Sequence, residues 1–148
     1  MTGYNRSLLL DNSAWARVVD GRLVEPHRKT FEAALTAGQL WTCPPSLLEL
    51  RYSAIDGEEF DAVCDELDAL PHAPLTAQAA ARALTAQGEL AAARGVSHRV
   101  KPVDLLIAAV AAEERLGVLH YDRDYDAIAE HTSLVFLSVW IAPRGSLD

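Results

Sequence analysis

Short apolar runs alternate along the chain with longer segments in which apolar residues recur at helical spacing. Runs at residues 7–10, 40–43 and 118–121 predict short buried strands, and residues 133–139 predict a final strand. Strands that alternate with helices are typical of a parallel sheet covered by helices on both faces. The pattern therefore predicts an α/β fold around a central, mostly parallel sheet of four or five strands.

Helix start signals occupy the intervals between these strands. Residues 11–13 (Asp-Asn-Ser) open a helix directly after the first strand, and residues 44–45 (Pro-Pro) begin one directly after the second. Thr76 caps an alanine-rich helix, and Pro102 begins a strongly apolar helix that precedes the third strand. A short helix over residues 122–130 then leads to the final strand.

The length and hydropathy of the chain predict one domain without a membrane span. At 148 residues the chain fits one domain, which we expect to cover residues 1–141 with a C-terminal tail at 142–148. The longest apolar run is too short to cross a bilayer, and the first residues lack the apolar stretch of a secretion signal. We therefore expect a cytoplasmic protein that does not associate with membranes.

The charge balance bears on nucleic-acid binding. A formal net charge of -8 argues against general affinity for nucleic acids, because such affinity depends on Lys and Arg side chains that neutralise phosphates. A polyanionic substrate would need bound cations and a local basic patch. Arg94, His98, Arg99 and Lys101 cluster in the sequence and offer such a patch. The same residues also fit a solvated loop with ordinary surface charge, and the sequence leaves both interpretations open.

Four acidic residues stand inside or at the end of apolar segments. Asp104 interrupts an otherwise apolar run over residues 103–112, and Glu49 lies among leucines. Asp11 and Asp122 follow the first and third predicted strands. An ionised carboxylate among buried aliphatic side chains is strongly destabilising unless a cation or hydrogen-bond donors compensate it.

One acidic pocket would explain all four positions. In parallel sheets, ligands collect beyond the carboxyl ends of the strands, which is where Asp11 and Asp122 are expected. Neighbouring carboxylates repel one another, and a divalent cation such as Mg2+ or Mn2+ removes that conflict. Each acid also has a structural interpretation: Asp11 as a helix cap, Asp104 as a partner of a helix dipole, Asp122 as part of a solvated helix start, and Glu49 as a surface residue.

Four motifs that contain these acids occur in a fixed order along nearly the whole chain. They are LLDNSAW at residues 9–15, PSLLEL at 45–50, VDLLIAA at 103–109 and HYDRDYDAIA at 120–129. In this order and at these intervals, the motifs resemble those of the PIN domain, and within that family the VapC-like toxins of bacterial type II toxin-antitoxin pairs.

The resemblance implies a Mg2+- or Mn2+-dependent endoribonuclease that acts as a growth-inhibiting toxin on RNA. It also implies a homodimer and a cognate VapB-like antitoxin that silences the enzyme, with residues 1–141 as the PIN-like nuclease domain. Carried over by position, the catalytic, metal-binding acids are Asp11, Glu49, Asp104 and Asp122. Ser13 is similar to the small polar residue that supports the first acid, and Asp124 to an additional acid near the metal.

Two other classes of function compete with this interpretation. Another Mg2+-dependent phosphohydrolase of α/β fold, of the haloacid-dehalogenase type, would carry a second acid two residues after Asp11, where this chain has Ser13. A receiver domain would carry an acid pair before its first helix, and Asp11 has no adjacent acid. A noncatalytic module that binds an antitoxin or RNA would use the same pocket without chemistry, and the sequence leaves that alternative open.

Overall fold

A central parallel sheet organises the protein. The computed structural model describes residues 3–93 and 99–148, and in this part of the chain four strands form one sheet in the order β2-β1-β3-β4 with every pairing parallel. The strands are β1 (Leu8–Leu10), β2 (Leu40–Trp41), β3 (Gly117–His120) and β4 (Leu137–Trp140). The predicted α/β fold with a sheet of four or five strands is confirmed.

The described helices lie in the intervals that the sequence predicted, with small changes at their ends. They are α1 (Asn12–Val19), α2 (His27–Thr36), α3 (Pro44–Tyr52), α4 (Gly57–Asp68), α5 (Ala77–Ala92), α6 (Pro102–Glu114) and α7 (Asp124–His131). Asp11, Asp56 and Thr76 cap α1, α4 and α5, because their side chains accept hydrogen bonds from first-turn backbone N–H groups. None of the described helices has both the length and the apolar character needed to span a membrane.

The sheet divides the apolar core into two layers. Because successive side chains of a strand point to opposite faces, Leu8 and Leu10 of β1 pack in one layer and Leu9 packs in the other. The layer around Leu8 includes residues of α1 and α2, whereas the layer around Leu9 includes residues of α5, α6 and α7. The prediction of helices on both faces is confirmed, and the sheet edge between the layers is where the acids collect.

β3 lies between β1 and β4, and its first residue shows how closely these strands approach. A Cβ atom on Gly117 would lie 2.5 Å from Leu8 Cδ2 and 2.8 Å from the Leu137 carbonyl oxygen. Only glycine fits this position without displacement of a neighbouring strand.

Two predicted boundaries are wrong by a few residues, and local hydrogen bonds explain why. The last strand begins at Leu137, because residues 132–134 form a turn in which Thr132 accepts a hydrogen bond from the Leu134 backbone. Asp122 was expected inside a helix over residues 122–130. It lies before α7 instead, and its side chain accepts a hydrogen bond from the Asp124 backbone N–H.

The last residues pack against the layer around Leu8. Ala142 and Leu147 are buried there, and the Leu147 backbone N–H donates a 2.9 Å hydrogen bond to the Tyr121 hydroxyl. The predicted division into residues 1–141 and a tail at 142–148 stays a prediction.

Candidate metal centre

The structure brings four of the predicted acids to one cavity at the carboxyl edge of the sheet. Asp11 follows β1, Asp122 follows β3, Glu49 lies on α3, and Asp104 lies in the first turn of α6. All four line a cavity of about 320 Å³. The carboxyl edge of a parallel sheet is the usual ligand position in such folds.

Hydrogen bonds hold both oxygens of Asp11. Its Oδ2 accepts from the Ser13 backbone N–H at 2.9 Å and from the Ser13 hydroxyl at 2.6 Å, while its Oδ1 accepts from the Tyr125 hydroxyl at 2.6 Å. The Ser13 hydroxyl also accepts from the Tyr121 backbone N–H at 2.8 Å, which ties the end of β3 to the start of α1. Ser13 therefore supports Asp11, as its position in the motif implied.

Asp104 is buried with far less compensation. It is 3% exposed, its Oδ1 lies 3.3 Å from the Tyr125 hydroxyl, and its Oδ2 has no hydrogen-bond partner among the described residues. Burial raises the pKa of the Asp104 carboxyl to about 7, and the charge of Asp11 adds to this increase while Lys101 opposes it. A buried oxygen without a partner is costly, and a cation at this position would satisfy it.

Asp122 and Asp124 lie beside Asp104. Each of these three acids can place one carboxylate oxygen within 4.8 Å of the others, a spacing at which one ion can bind all three. Burial raises the pKa of Asp124, and the charge of Asp122 raises it further. The residues present thus fit a divalent cation, because hard oxygen ligands from three side chains converge at one point.

Asp124 has a more central place in this geometry than the sequence indicated. It belongs to the converging group of three, whereas Asp11 joins that group through the Tyr125 hydroxyl that it shares with Asp104. Glu49 faces the same cavity from α3, and its charge raises the pKa of Lys101. The assignment of all five acids as catalytic or metal-binding residues stays a prediction.

Two basic side chains also line the cavity. The Arg17 guanidinium stacks 4.6 Å from the centre of the Tyr121 ring and donates to the Ser13 carbonyl oxygen at 3.1 Å. The nearby carboxylates, Asp104 foremost, raise the pKa of Lys101. Arg94 and His98 of the predicted basic patch lie outside the described residues.

A buried histidine supports the turn that carries Asp122. The Asp122 backbone N–H donates to His120 Nδ1 at 3.1 Å, so Nε2 carries the proton and donates to the Ser138 hydroxyl at 2.7 Å. The Ser138 hydroxyl in turn donates to Asp126 at 2.7 Å. Burial lowers the pKa of His120 to about 4, which keeps the ring neutral in this network.

Sequence reasoning did not assign a role to Tyr125. Its side chain is fully buried and its hydroxyl reaches residues 114 and 21 positions earlier in the chain. The local signal for it was weak: a tyrosine one position after Asp124, on the apolar face of a short helix.

Comparison with known proteins places this arrangement in a family. The family model described as the PIN domain matches residues 8–131, from the start of β1 to the end of α7. The chain belongs to the PIN-domain family. The resemblance to PIN domains that the four motifs indicated is therefore confirmed.

Curated relatives cover almost the whole PIN domain. The protein named Ribonuclease VapC18, from Mycobacterium tuberculosis, is 40% identical over 139 residues, which cover 93% of this chain and 97% of the relative. The protein named Ribonuclease VapC51, from the same organism, is 39% identical over 141 residues, which cover 95% of this chain and 96% of the relative. The match is with whole relatives rather than with a part of a larger protein.

Solved structures share the fold of this PIN domain. A chain in the crystal structure of DNA-bound VapBC from Salmonella typhimurium matches with a TM-score of 0.71 and 20% identity, over 93% of this chain and 99% of that chain. A chain of VapBC2 from Rickettsia felis, also solved with DNA, matches with a TM-score of 0.69 and 17% identity, over 95% and 99% of the two chains. At these identities the likeness establishes the fold alone.

Proposed function

We propose that this PIN domain is a Mg2+- or Mn2+-dependent endoribonuclease that acts as the toxin of a toxin-antitoxin pair. The observation that carries the proposal is the convergence of carboxylate oxygens from Asp104, Asp122 and Asp124, together with a buried Asp104 Oδ2 that has no hydrogen-bond partner among the described residues. The names of the two M. tuberculosis relatives, both ribonucleases, support RNA as the substrate. The alternative of a noncatalytic module is an outcome of the test below.

The proposed roles follow from the position of each side chain. Asp104, Asp122 and Asp124 would hold the ion, and Asp11 would add a fourth carboxylate beside Asp104. A bound divalent ion lowers the pKa of a water molecule and offsets negative charge on the attacked phosphate. Glu49 lines the cavity from α3, and in this proposal it orients the attacking water.

Lys101 places a positive charge beside the acids, in a chain that is strongly acidic as a whole. Its ammonium group lines the cavity together with the acids, and their charges keep it protonated. We propose that it contacts an RNA phosphate next to the scissile bond, since Lys side chains bind phosphates as point charges.

The partners belong to the same proposal. We propose a VapB-like antitoxin because the two structural neighbours described above were solved as VapBC assemblies. An antitoxin arginine would form strong charge-assisted hydrogen bonds with the carboxylates of the cavity. The homodimer and the cytoplasmic location that were expected from the sequence stay predictions.

Cleavage of total cellular RNA tests the proposal. Wild type, Asp104→Asn and the control Asp61→Asn would each be incubated with RNA in Mg2+, in Mn2+ and in excess EDTA. Asp61 is exposed on α4, so the control removes one negative charge without a change in the cavity. We expect discrete fragments from wild type and from Asp61→Asn, and loss of those fragments in EDTA and in Asp104→Asn. Equal results for wild type and Asp104→Asn would overturn the nuclease and favour the binding module.

The ends of the fragments test the chemistry separately. Attack by water predicts a 5'-phosphate and a 3'-hydroxyl, because the ribose 2'-hydroxyl takes no part in the displacement. Fragments with 2',3'-cyclic phosphate ends would contradict attack by water even if cleavage depended on metal.

A further inference from the structure

One tyrosine hydroxyl joins two carboxylates that come from different elements of the fold. Tyr125 OH donates to Asp11 Oδ1 at 2.6 Å and lies 3.3 Å from Asp104 Oδ1. Asp11 follows β1, Asp104 lies on α6, and Tyr125 lies in the first turn of α7. The hydroxyl is therefore a contact shared by three elements that meet at the cavity.

The position of this hydroxyl is tightly defined. The Tyr125 side chain is fully buried, and its ring lies 4.9 Å from the ring of His120, measured between centroids. His120 is itself held by the Asp122 backbone and by Ser138. Because a tyrosine has two side-chain torsions and this ring is enclosed, the oxygen has little freedom to follow the carboxylates if they move.

The ring and the hydroxyl of Tyr125 have separable roles. A phenylalanine ring would fill the same space in the apolar layer, so the core does not require the hydroxyl. The hydroxyl is the part of the side chain that reaches Asp11 and Asp104. Its contact with Asp11 has the short distance of a charge-assisted hydrogen bond.

We propose that Tyr125 is a positioning residue of the metal centre: its hydroxyl donates its one proton to Asp11 Oδ1, lies 3.3 Å from Asp104 Oδ1, and so fixes this side of both carboxylates while Asp104 Oδ2 stays open to the ion. The inference rests on the proposed function, since it assigns a role toward the same metal. Tyr125 directly follows Asp124 in the chain, so the first turn of α7 carries both a proposed ligand and the hydroxyl that contacts two other acids. Groups that hydrogen-bond to metal-binding carboxylates set ligand orientation and thereby metal affinity.

A core tyrosine whose hydroxyl merely finds nearby acceptors is the competing explanation. Buried tyrosine hydroxyls usually have a hydrogen-bond partner, and that role alone would affect stability. Metal affinity distinguishes the two explanations. A hydroxyl whose hydrogen bonds contribute only to stability does not change how the folded protein binds an ion.

The experiment is a Mn2+ titration of the folded protein, followed by the EPR signal of free Mn2+, without RNA. We expect Tyr125→Phe to bind Mn2+ about tenfold more weakly than wild type, with the circular dichroism of a folded protein. The control is Tyr4→Phe, which removes a tyrosine hydroxyl that is buried without a hydrogen-bond partner among the described residues. Tyr4→Phe should bind Mn2+ as wild type does. Equal affinities of Tyr125→Phe and wild type would overturn the proposal.

A measurement on the wild-type protein covers the case in which Tyr125→Phe does not fold. The chain has four tyrosines, and their resonances can be observed with 13C at Cζ. Replacement of Tyr4, Tyr52 and Tyr121 one at a time assigns those three signals and leaves the fourth as that of Tyr125. We expect the chemical shift of the Tyr125 resonance to change as Mg2+ is added and to saturate at the midpoint of Mg2+ binding. The Tyr4 resonance should not shift. A Tyr125 resonance that does not respond to bound Mg2+ would overturn the proposal.

The two proposals fail in different ways. If wild type binds no Mn2+, the metal-dependent nuclease is overturned and the role of Tyr125 is overturned with it. If wild type binds Mn2+ and cleaves RNA while Tyr125→Phe binds equally well, only the positioning role is overturned.

Discussion

Asp11 and Asp104 are buried to nearly the same extent, at 5% and 3% exposure, yet their carboxylates differ in the hydrogen bonds that they accept. Asp11 accepts three hydrogen bonds, two of them from Ser13. Asp104 has one long contact and an oxygen without a partner in the described structure. Burial alone therefore does not identify a ligand-binding acid. The balance between burial and available donors distinguishes the two acids, because only Asp104 keeps a buried oxygen without a donor among the described residues.

The largest expected effect comes from replacing each acid by asparagine. Both variants should lose RNA cleavage by about a hundredfold or more, because both remove a carboxylate next to the proposed ion. Their stabilities without metal should differ. Asp11→Asn places an amide among donors from Ser13 and Tyr125 and should lose about 2 kcal/mol of unfolding free energy in EDTA. Asp104→Asn should keep or raise the wild-type value, because it relieves repulsion among the acids.

Urea unfolding in EDTA, combined with the RNA assay, tests the predictions for Asp11→Asn and Asp104→Asn. The control is again Asp61→Asn, which should match wild type in both measurements. A loss of stability in Asp104→Asn as large as that in Asp11→Asn would remove the difference between the two sites and favour a structural role for Asp104.

The pH dependence of stability sharpens the same comparison. The pKa of Asp104 is raised to about 7 in the folded protein and is near 4 in an unfolded chain. Between these values the folded protein holds a proton that the unfolded chain has lost, so this contribution to stability decreases as pH rises toward 7. His120, whose pKa is lowered to about 4, contributes in the opposite direction between pH 4 and its unfolded value near 6.5.

The difference in unfolding free energy between Asp104→Asn and wild type isolates the contribution of Asp104 to the pH dependence of stability, because His120 is present in both proteins. We expect this difference to shift in favour of the variant by about 1 kcal/mol per pH unit between pH 5 and 7 in EDTA, and to level off above pH 8. Urea unfolding at several pH values measures it. A difference that does not change with pH would show that Asp104 does not titrate in this range.

The smallest expected effect concerns the support of Asp11. Ser13→Ala removes a hydroxyl that donates to Asp11 and accepts from the Tyr121 backbone. Ser46→Ala is a matched control, because the buried Ser46 hydroxyl also makes two hydrogen bonds, both with the backbone of Cys43, the residue before α3. Each variant should lose about 1 kcal/mol of unfolding free energy. Only Ser13→Ala should also weaken Mn2+ binding. Equal Mn2+ affinities for the two variants would show that Ser13 acts on the fold alone.

Prediction from sequence succeeded where the signal was local. Asp104 was recognisable because a charge inside an apolar run is costly wherever the helix packs, and Asp11 because it ends a buried strand. The α/β fold followed from alternating short strands and helices, and the starts of α3 and α6 from prolines that fit a first helical turn. The PIN-domain resemblance used the order of four motifs, which is also a property of the linear chain.

Prediction from sequence failed at the ends of two elements, where a side chain accepts a hydrogen bond from a backbone N–H two residues later. The position of Asp122 before α7 depends on a hydrogen bond with the Asp124 backbone, and the start of β4 depends on the turn at Thr132. The family resemblance gave Asp124 as an acid near the metal, whereas the pattern of residues did not indicate that it lies beside Asp104, because the two acids are on different helices.

The sequence by itself therefore determined which carboxylates stand in apolar surroundings and which strands would bring them to one edge of a parallel sheet. Only the tertiary structure decided which of those carboxylate oxygens receive hydrogen bonds. It connected Asp11 to Tyr125, 114 residues away, and left Asp104 Oδ2 without a partner among the described residues. The physical reason is that burial and periodicity are encoded by neighbours in the chain, whereas hydrogen-bond satisfaction depends on which side chains the fold brings within about 3 Å.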